Sequence, residues 1–342
     1  MTSIGIKIYL LKLIGMLILY SCISRDKEKL DLLLKANQLL EDKDYDNAIS
    51  VYNHAIELDL EFTDAYNNRG VANFENGKPA LALADYNYAL LLKPDYAEAM
   101  FNRSNALTEL GRIEEALDDL QNLRKFYGDS SILDFSTGLA YSKSGDYSKS
   151  IAAFKTTWIK DQNNVEIPIN IGTAYYYLED FDSARFYIDK AIQLDSGHSS
   201  SYNALALIET KNQNYDRAMQ FINNALDLAP DDPYLLNNRG FIHLSLCNLE
   251  ESIADINNSI ITDPYNGWAY RNKGLYYSKM DKMDEAIKML QKASEMNGRI
   301  ENVFFYLGEA YFKNGNLEKA CEAWSNENVK NLPEKYLNEC KN

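Results

Sequence analysis

The sequence is poor in the residues from which reactive sites are usually built. It holds three histidines and four cysteines in 342 residues. His54, His198 and His243 stand far apart and share no metal-ligand spacing, so neither a histidine-centred catalytic group nor a metal cage is legible. No glycine-rich phosphate cradle is present, and ten of the sixteen glycines fall on only two positions of a repeat described below. These absences lead to the expectation of no enzyme activity, no metal and no cofactor. Basic residues are also scarce, with 35 Lys and Arg against 50 Asp and Glu, a net charge of −15. A nucleic-acid backbone needs clustered cations to displace its counterions, so that class of partner is excluded. Long apolar runs are missing as well. The run from Leu13 to Leu19 is too short for a span, which takes about 20 residues. Extending it back to Ile4 would place Lys12 near mid-membrane, at roughly 2.5–3.5 kcal/mol.

What the sequence does contain is one phrase of 34 residues, clearest from Thr63 to Tyr96. Without insertion or deletion it recurs nine times, at 29–62, 63–96, 97–130, 131–164, 165–198, 199–232, 233–266, 267–300 and 301–334. Position 8 is always small (Ala36, Gly70, Ser104, Gly138, Gly172, Ala206, Gly240, Gly274, Gly308), and so is position 20 (from Ala48 to Ala320). Position 24 is always large and apolar, as in Tyr52, Phe154, Ile222 and Trp324. Two closely packed helices need small side chains where their axes approach and large ones beside the contact. Each phrase therefore reads as a helical hairpin, helix A over positions 2–14 and helix B over 17–30. Gly77, Gly111, Gly145 and Gly315 at position 15 end helix A. Asp44, Asp146, Asp180, Asn214, Asn248 and Asn316 at position 16 read as N-caps of helix B. Pro79 suits its first turn, and Pro94, Pro230 and Pro264 stop helix B at position 32. About half of the 25 tyrosines fall on positions 4, 11, 17 and 24, and these read as packing residues.

In these positions the chain resembles the tetratricopeptide repeat (TPR) family. The resemblance covers residues 29–334 and implies an all-α, right-handed solenoid of about nine helix-turn-helix units. Residues 333–342 then supply a C-terminal capping helix, with Pro333 in its first turn and Tyr336, Leu337 and Cys340 on one face.

Residues 1–22 have a different character. Lys7 and Lys12 precede the short apolar run, which ends in Leu19-Tyr20-Ser21-Cys22. This resembles a bacterial lipoprotein signal, and implies cleavage after residue 21, lipidation of Cys22 and a tether over 22–28. The alternative is an uncleaved N-terminal anchor on a stand-alone peptide receptor. Either arrangement puts the repeats outside the cytoplasm, and the first implies the periplasmic side of an outer membrane. Cleavage would leave 33 basic residues against 50 acidic ones, a net of −17. An oxidising compartment would let Cys321 and Cys340 pair and staple the C-terminal cap. The other reading is two unpaired, partly buried thiols. Cys247 sits in an inter-helix turn and has no evident role.

The family resemblance implies that helix A lines a concave groove for an extended protein segment, and that no small molecule is bound. Asn68, Asn102, Asn170, Asn238 and Asn272 recur at position 6, similar to the asparagine ladder of the O-linked GlcNAc transferase repeats. A primary amide donates and accepts at once, so a row of amides suits a peptide backbone. The alternative is that Asn in N-R-G runs belongs to the repeat itself. Phe101, Phe135, Tyr176, Tyr234, Phe241, Trp268, Arg271 and Phe305 are the larger groove residues, anchors or inter-helix packing. The two-carboxylate clamp of chaperone adaptors is incomplete. Asn37 and Asn68 are present, but Leu33, Glu98 and Asn102 stand where basic residues are needed. Position 13 changes sign along the chain, from Glu41, Glu75 and Glu109 to Lys143, Lys211, Lys279 and Lys313. A bound segment would therefore be oriented, basic toward the first repeats and acidic toward the last.

Overall fold

The computed structural model describes residues 25–296, 300–326, 328–329 and 332–340. The signal-like segment and Cys22 lie outside the described residues. The described residues contain helices and no strand, and no helix among them is long and apolar enough to cross a membrane. The chain divides into two compact units between Gln162 and Asn163. The division falls on the polar run Asp161-Gln162-Asn163-Asn164, where the first two repeats end instead on Phe62 and Tyr96.

Unit 1 is a row of four hairpins. They are α1 (25–41) with α2 (Tyr45–Leu58), α3 (Thr63–Glu75) with α4 (Pro79–Leu92), α5 (Ala97–Glu109) with α6 (Ile113–Tyr127), and α7 (Ser131–Ser144) with α8 (Tyr147–Lys160). Unit 2 begins with α9 (Glu166–Tyr177) on α10 (Phe181–Leu194), α11 (Ser199–Lys211) on α12 (Tyr215–Leu228) and α13 (Pro233–Ser245) on α14 (Leu249–Thr262). It ends with α15 (Gly267–Lys279) on α16 (Met283–Met296), α17 (Val303–Lys313) on α18 (Leu317–Trp324), and the short α19 (Glu334–Glu339). The odd-numbered helices up to α17 are the A helices and the even-numbered ones the B helices.

One contact explains the position-8 rule. A Cβ added to Gly70 would lie 2.5 Å from Tyr86 Cε1, and one on Gly138 would lie 2.6 Å from the Phe154 ring. Gly172, Gly240, Gly274 and Gly308 face Ile188, Ile256, Leu290 and Trp324 in the same way. Position 8 thus carries no bulk because the position-24 side chain of the same hairpin fills that space. Burying such a side chain contributes about 1.5–3 kcal/mol per repeat. Where position 20 is serine, its hydroxyl is satisfied. Ser150 donates to the Gly138 carbonyl at 2.9 Å and Ser252 to the Gly240 carbonyl at 2.8 Å.

The turns show what the glycine pattern concealed. Gly77, Gly111, Gly145 and Gly315 have φ of 70°, 74°, 83° and 78°. Lys43, Glu179, Gln213, Cys247 and Asp281, at the same repeat position, have φ between 59° and 65°. Every repeat makes the left-handed turn, although five do so with a side chain, at a cost of about 1–2 kcal/mol each. Cys247 is one of these strained residues.

The six expected caps divide. Asp146, Asp180 and Asn316 accept from backbone N–H groups of Lys149, Ser183 and Lys319. Asp44, Asn214 and Asn248 stand at N-caps without such a bond. Asp44 accepts from the Asn47 side chain, Asn214 donates to Glu209, and the Asn248 amide contacts His243 Nδ1.

The ends depart from expectation in two ways. Residues 25–28, assigned to a tether, are already helical. Lys29 holds them, pairing with Asp26 at 3.2 Å and Asp59 at 2.7 Å. At the other end Pro333 is the N-cap of α19 and not in its first turn. Tyr336 is buried and stacks on Trp324 at 4.3 Å, while Leu337 points outward at 41% exposure. A disulfide joins Cys321 to Cys340 with the Cα atoms 5.5 Å apart, fixing α19 to α18.

Candidate functional site: the A-helix face

Within each unit an A helix touches the A helix of the next repeat: α3 with α5, α5 with α7, α9 with α11, α11 with α13, α13 with α15 and α15 with α17. In each unit the A helices are thus the more closely gathered layer, and the side chains they turn away from their B helices share one face of that unit.

The asparagines on that face form two relays. In unit 1, Asn102 Nδ2 donates to Asn67 Oδ1 at 3.1 Å, and Asn67 donates to Asn68 Oδ1 at 3.0 Å. Asn68 donates on to Asn37 Oδ1 at 2.9 Å, where the Tyr52 hydroxyl also donates at 2.7 Å. In unit 2, Asn272 donates to Asn237 Oδ1 at 2.8 Å, Asn237 to Asn238 Oδ1 at 3.4 Å, and Asn238 to Asn203 Oδ1 at 2.9 Å. Both relays need an asparagine at position 5 or 9 of the preceding repeat. Asn170 has none, because position 5 of the repeat before it is Phe135, and its amide turns back to the Glu166 carbonyl at 2.8 Å. The row expected to offer free amides to a peptide is in fact a staple between successive A helices. Asn102, Asn68 and Asn238 each keep one N–H beyond the bond they make inside the chain, whereas the buried Asn272 amide gives both of its N–H groups to Asn237, one to Oδ1 and one to the carbonyl. The position-5 partners Asn67, Asn203 and Asn237 were missed in the sequence, although the Asn67-Asn68 and Asn237-Asn238 pairs mark them.

A second staple was also missed. Arg69, Arg103 and Arg239 at position 7 bind Asp85, Asp119 and Asp255 of their own B helices, sixteen residues on. Each also reaches an asparagine on the preceding B helix, Asn53, Asn87 or Asn223. The arginine of the N-R-G run therefore ties three helices together. A cleft of about 270 Å³ lined by Leu83, Arg103 and Glu115 lies beside one of these ties. Its cations are taken up internally, Arg103 by Asp119 and Arg112 by Glu115.

Phe101, Tyr176 and Trp268 are half-buried, each packed against a buried cluster of its unit. Tyr234 is 52% exposed, its hydroxyl donating to Asp263. Arg271 is the exception in kind, a guanidinium only 8% exposed. Nε and Nη2 donate to Asn272 Oδ1 at 3.1 and 2.8 Å, and Nη1 donates to the Glu301 carbonyl at 3.1 Å. It lies over the rings of Trp268 at 4.9 Å and Phe241 at 5.5 Å. Burial pulls its pKa below the ordinary arginine value. Burial also pushes the Tyr176 hydroxyl above the ordinary tyrosine range, helped by the negative charge of Glu301.

Several position-13 charges are used inside the chain. Lys143 pairs with Glu109 at 3.0 Å, Lys211 with Glu301 at 2.5 Å, and Lys279 donates to the Leu244 carbonyl at 2.7 Å. Glu41, Glu75 and Lys313 are exposed. Among the described residues no group of three or more His, Cys, Asp and Glu side chains is placed to hold a metal ion.

The hairpin row and its staples define a repeat scaffold, and the sequence comparison gives its family. The tetratricopeptide repeat model matches residues 74–131, 169–233 and 271–333, and a second TPR repeat model matches 36–77. The chain belongs to the tetratricopeptide repeat family. No curated protein matches its sequence. Among solved structures it is similar to a tetratricopeptide repeat protein from Parabacteroides merdae, at 17% identity over 72% of this chain and 98% of that one, with TM-score 0.59. It is similar also to the Cut9–Hcn1 hetero-tetramer of the APC/C, at 14% identity over 91% and 75%, with TM-score 0.61. The human IFIT1 dimer with m7Gppp-AAAA matches at 17% identity over 80% and 69%, with TM-score 0.57. At such identities the likeness is one of fold alone.

Proposed function

We propose that this chain is a non-catalytic scaffold of a bacterial cell envelope, holding an extended protein segment along its A-helix face. Acyl groups on Cys22 would anchor it in the membrane, with the repeats on the periplasmic side of the outer membrane. Protein–protein interaction is what membership of the family supports. The observation that carries the binding reading is the composition of the A face. Phe101, Tyr176 and Trp268 are rigidly seated yet half-exposed, and Asn102, next to Phe101, keeps one donor in hand. Preset rings of this kind make anchors at low entropic cost. The anchoring reading rests on Lys7, Lys12, the short apolar run and Ser21 before Cys22. The disulfide between Cys321 and Cys340 fits the oxidising compartment that this location supplies.

Metabolic palmitate labelling tests the anchor. The wild type is expected to take up label and the Cys22→Ser variant none; equal labelling of the two would rule out lipidation at this residue.

A further inference from the structure

The Lys211–Glu301 ion pair joins residues 90 positions apart, from repeat 6 to the start of repeat 9. Ile300, only 2% exposed, packs with Tyr270 and Val303, and a Cβ on Gly267 would collide with it at 2.5 Å. That anchor fixes the next residue. Glu301 then presents its carboxylate to Lys211 at 2.5 Å and its carbonyl to Arg271 at 3.1 Å. Asn302 turns the chain away with φ of 59°. Tyr176 and Tyr306 lie within electrostatic reach of Arg271, and Tyr176 also feels Glu301. An acidic side chain of the protein itself thus sits at a junction of cationic and aromatic groups on α9, α11 and α15.

Of the two cations at this junction only Lys211 is paired with a carboxylate. Arg271 has no carboxylate within ion-pair distance among the described residues. Its three hydrogen bonds leave one N–H on each terminal nitrogen unspent. Arg271 feels the Glu301 charge but hydrogen-bonds only to neutral acceptors, and a carboxylate bonding it directly would recover part of the cost of burying it. The Lys211–Glu301 pair is, by contrast, replaceable. Its side chains are 37% and 46% exposed, and a pair so exposed contributes only about 0–1 kcal/mol.

We propose that Lys211, Arg271 and the Trp268 and Tyr176 rings form a receptor for an acidic side chain on the bound segment, and that Glu301 occupies it from within the same chain. The proposal rests on the A-face reading above and names the chemistry read at its C-terminal part. An extended segment carrying a Glu or Asp beside an apolar residue displaces the Glu301 carboxylate from Lys211. Its own carboxylate then lies between Lys211 and the free N–H groups of Arg271, and its apolar neighbour lies on Trp268.

The test uses the full-length chain in detergent and a fluorescein-labelled peptide of alternating Leu and Glu, its C-terminus amidated, followed by fluorescence anisotropy. A Leu-Gln counterpart is the control. Glu301→Gln vacates the receptor, and the Leu-Glu peptide is expected to bind that variant about fivefold more tightly than wild type. The Leu-Gln peptide should be indifferent to the change. Lys211→Met, at an exposed site, should abolish the gain when added to Glu301→Gln, and unchanged circular dichroism shows that the fold persists. No gain with Glu301→Gln, or an equal gain for both peptides, overturns the proposal. Equal binding of both peptides by every variant also overturns it, while leaving the A face as a groove that takes a chain without reading its charge. Failure of both peptides to bind any variant overturns the receptor and the A-face reading together.

Discussion

Unit 1 and unit 2 are built from the same phrase, and they differ in what terminates the amide relay. In unit 1 the relay runs from Asn102 to Asn37 and meets the neutral hydroxyl of Tyr52. In unit 2 it begins on Arg271, a buried cation whose Nε and Nη2 rest on Asn272. The turns differ too. Unit 1 has glycine at three of its left-handed turns, with Lys43 the exception, whereas unit 2 has only Gly315 against Glu179, Gln213, Cys247 and Asp281. Unit 2 alone, among the described residues, carries a disulfide. A shared packing rule at positions 8, 20 and 24 thus fixes the hairpins, and leaves the A face and the turns free to diverge.

The largest expected effect separates the two relays directly. Asn272→Leu removes the acceptor of two Arg271 nitrogens and leaves the guanidinium buried without it, at a cost of about 3–5 kcal/mol. Asn68→Leu in unit 1 breaks bonds between neutral amides only, leaves the buried Asn67 amide without its acceptor, and should cost about 1–3 kcal/mol. Urea unfolding read through Trp158 for unit 1 and Trp268 and Trp324 for unit 2 measures both. Equal losses would erase the contrast.

Next in size is the disulfide. Reduction, or Cys321→Ser with Cys340→Ser, opens a loop of 19 residues and should cost unit 2 about 3 kcal/mol. Thermal unfolding with and without reductant should move the unit 2 transition and leave that of unit 1 in place.

A smaller effect belongs to unit 1. Burial pushes the Tyr52 hydroxyl up to about 12, against about 10 in an unfolded chain. A raised pKa gives stability that is present in full below pH about 10 and is lost as pH rises toward about 12. The alkaline loss in wild type should exceed that in Tyr52→Phe by on the order of 1–2 kcal/mol, read as the difference between two pH–stability curves. Parallel curves would mean that Tyr52 ionises alike in folded and unfolded chains.

The smallest effects lie in the turns. Glu179→Gly and Gln213→Gly relieve a left-handed side chain and should each stabilise unit 2 by about 0.5–1 kcal/mol, net of the flexibility that glycine adds when unfolded. Gly111→Ala should destabilise unit 1 by a similar amount.

The hairpins were legible because a fixed period places small and large side chains opposite each other, and Gly138 against Phe154 shows the rule in one contact. The period placed a turn at position 15, Cys247 included, but its left-handed backbone was legible only where glycine marks it; Cys247 adopts the same φ with a side chain. On the A face the asparagines were found at position 6, but their partners at position 5 were not. A sequence shows which residues can donate, and only the spacing of neighbouring helices shows whether the donor is already spent. Arg271 was read as an interface anchor; its burial and the approach of Glu301 arise from repeats far apart in sequence. The division after Gln162 coincides with a polar run that the unbroken period had masked.

Which helix face carries the partner decides whether the A helices form the binding surface. The B helices offer a rival, since Leu91, Ile159 and Ile261 all fall on position 29 and are 74%, 77% and 77% exposed. A photo-crosslinking amino acid placed in turn at Phe101, Trp268, Ile159 and Ile261 of the full-length protein, in intact cells, distinguishes the two. The A-face reading predicts covalent adducts from Phe101 and Trp268 and none from Ile159 or Ile261. Adducts from Ile159 and Ile261 alone would contradict it.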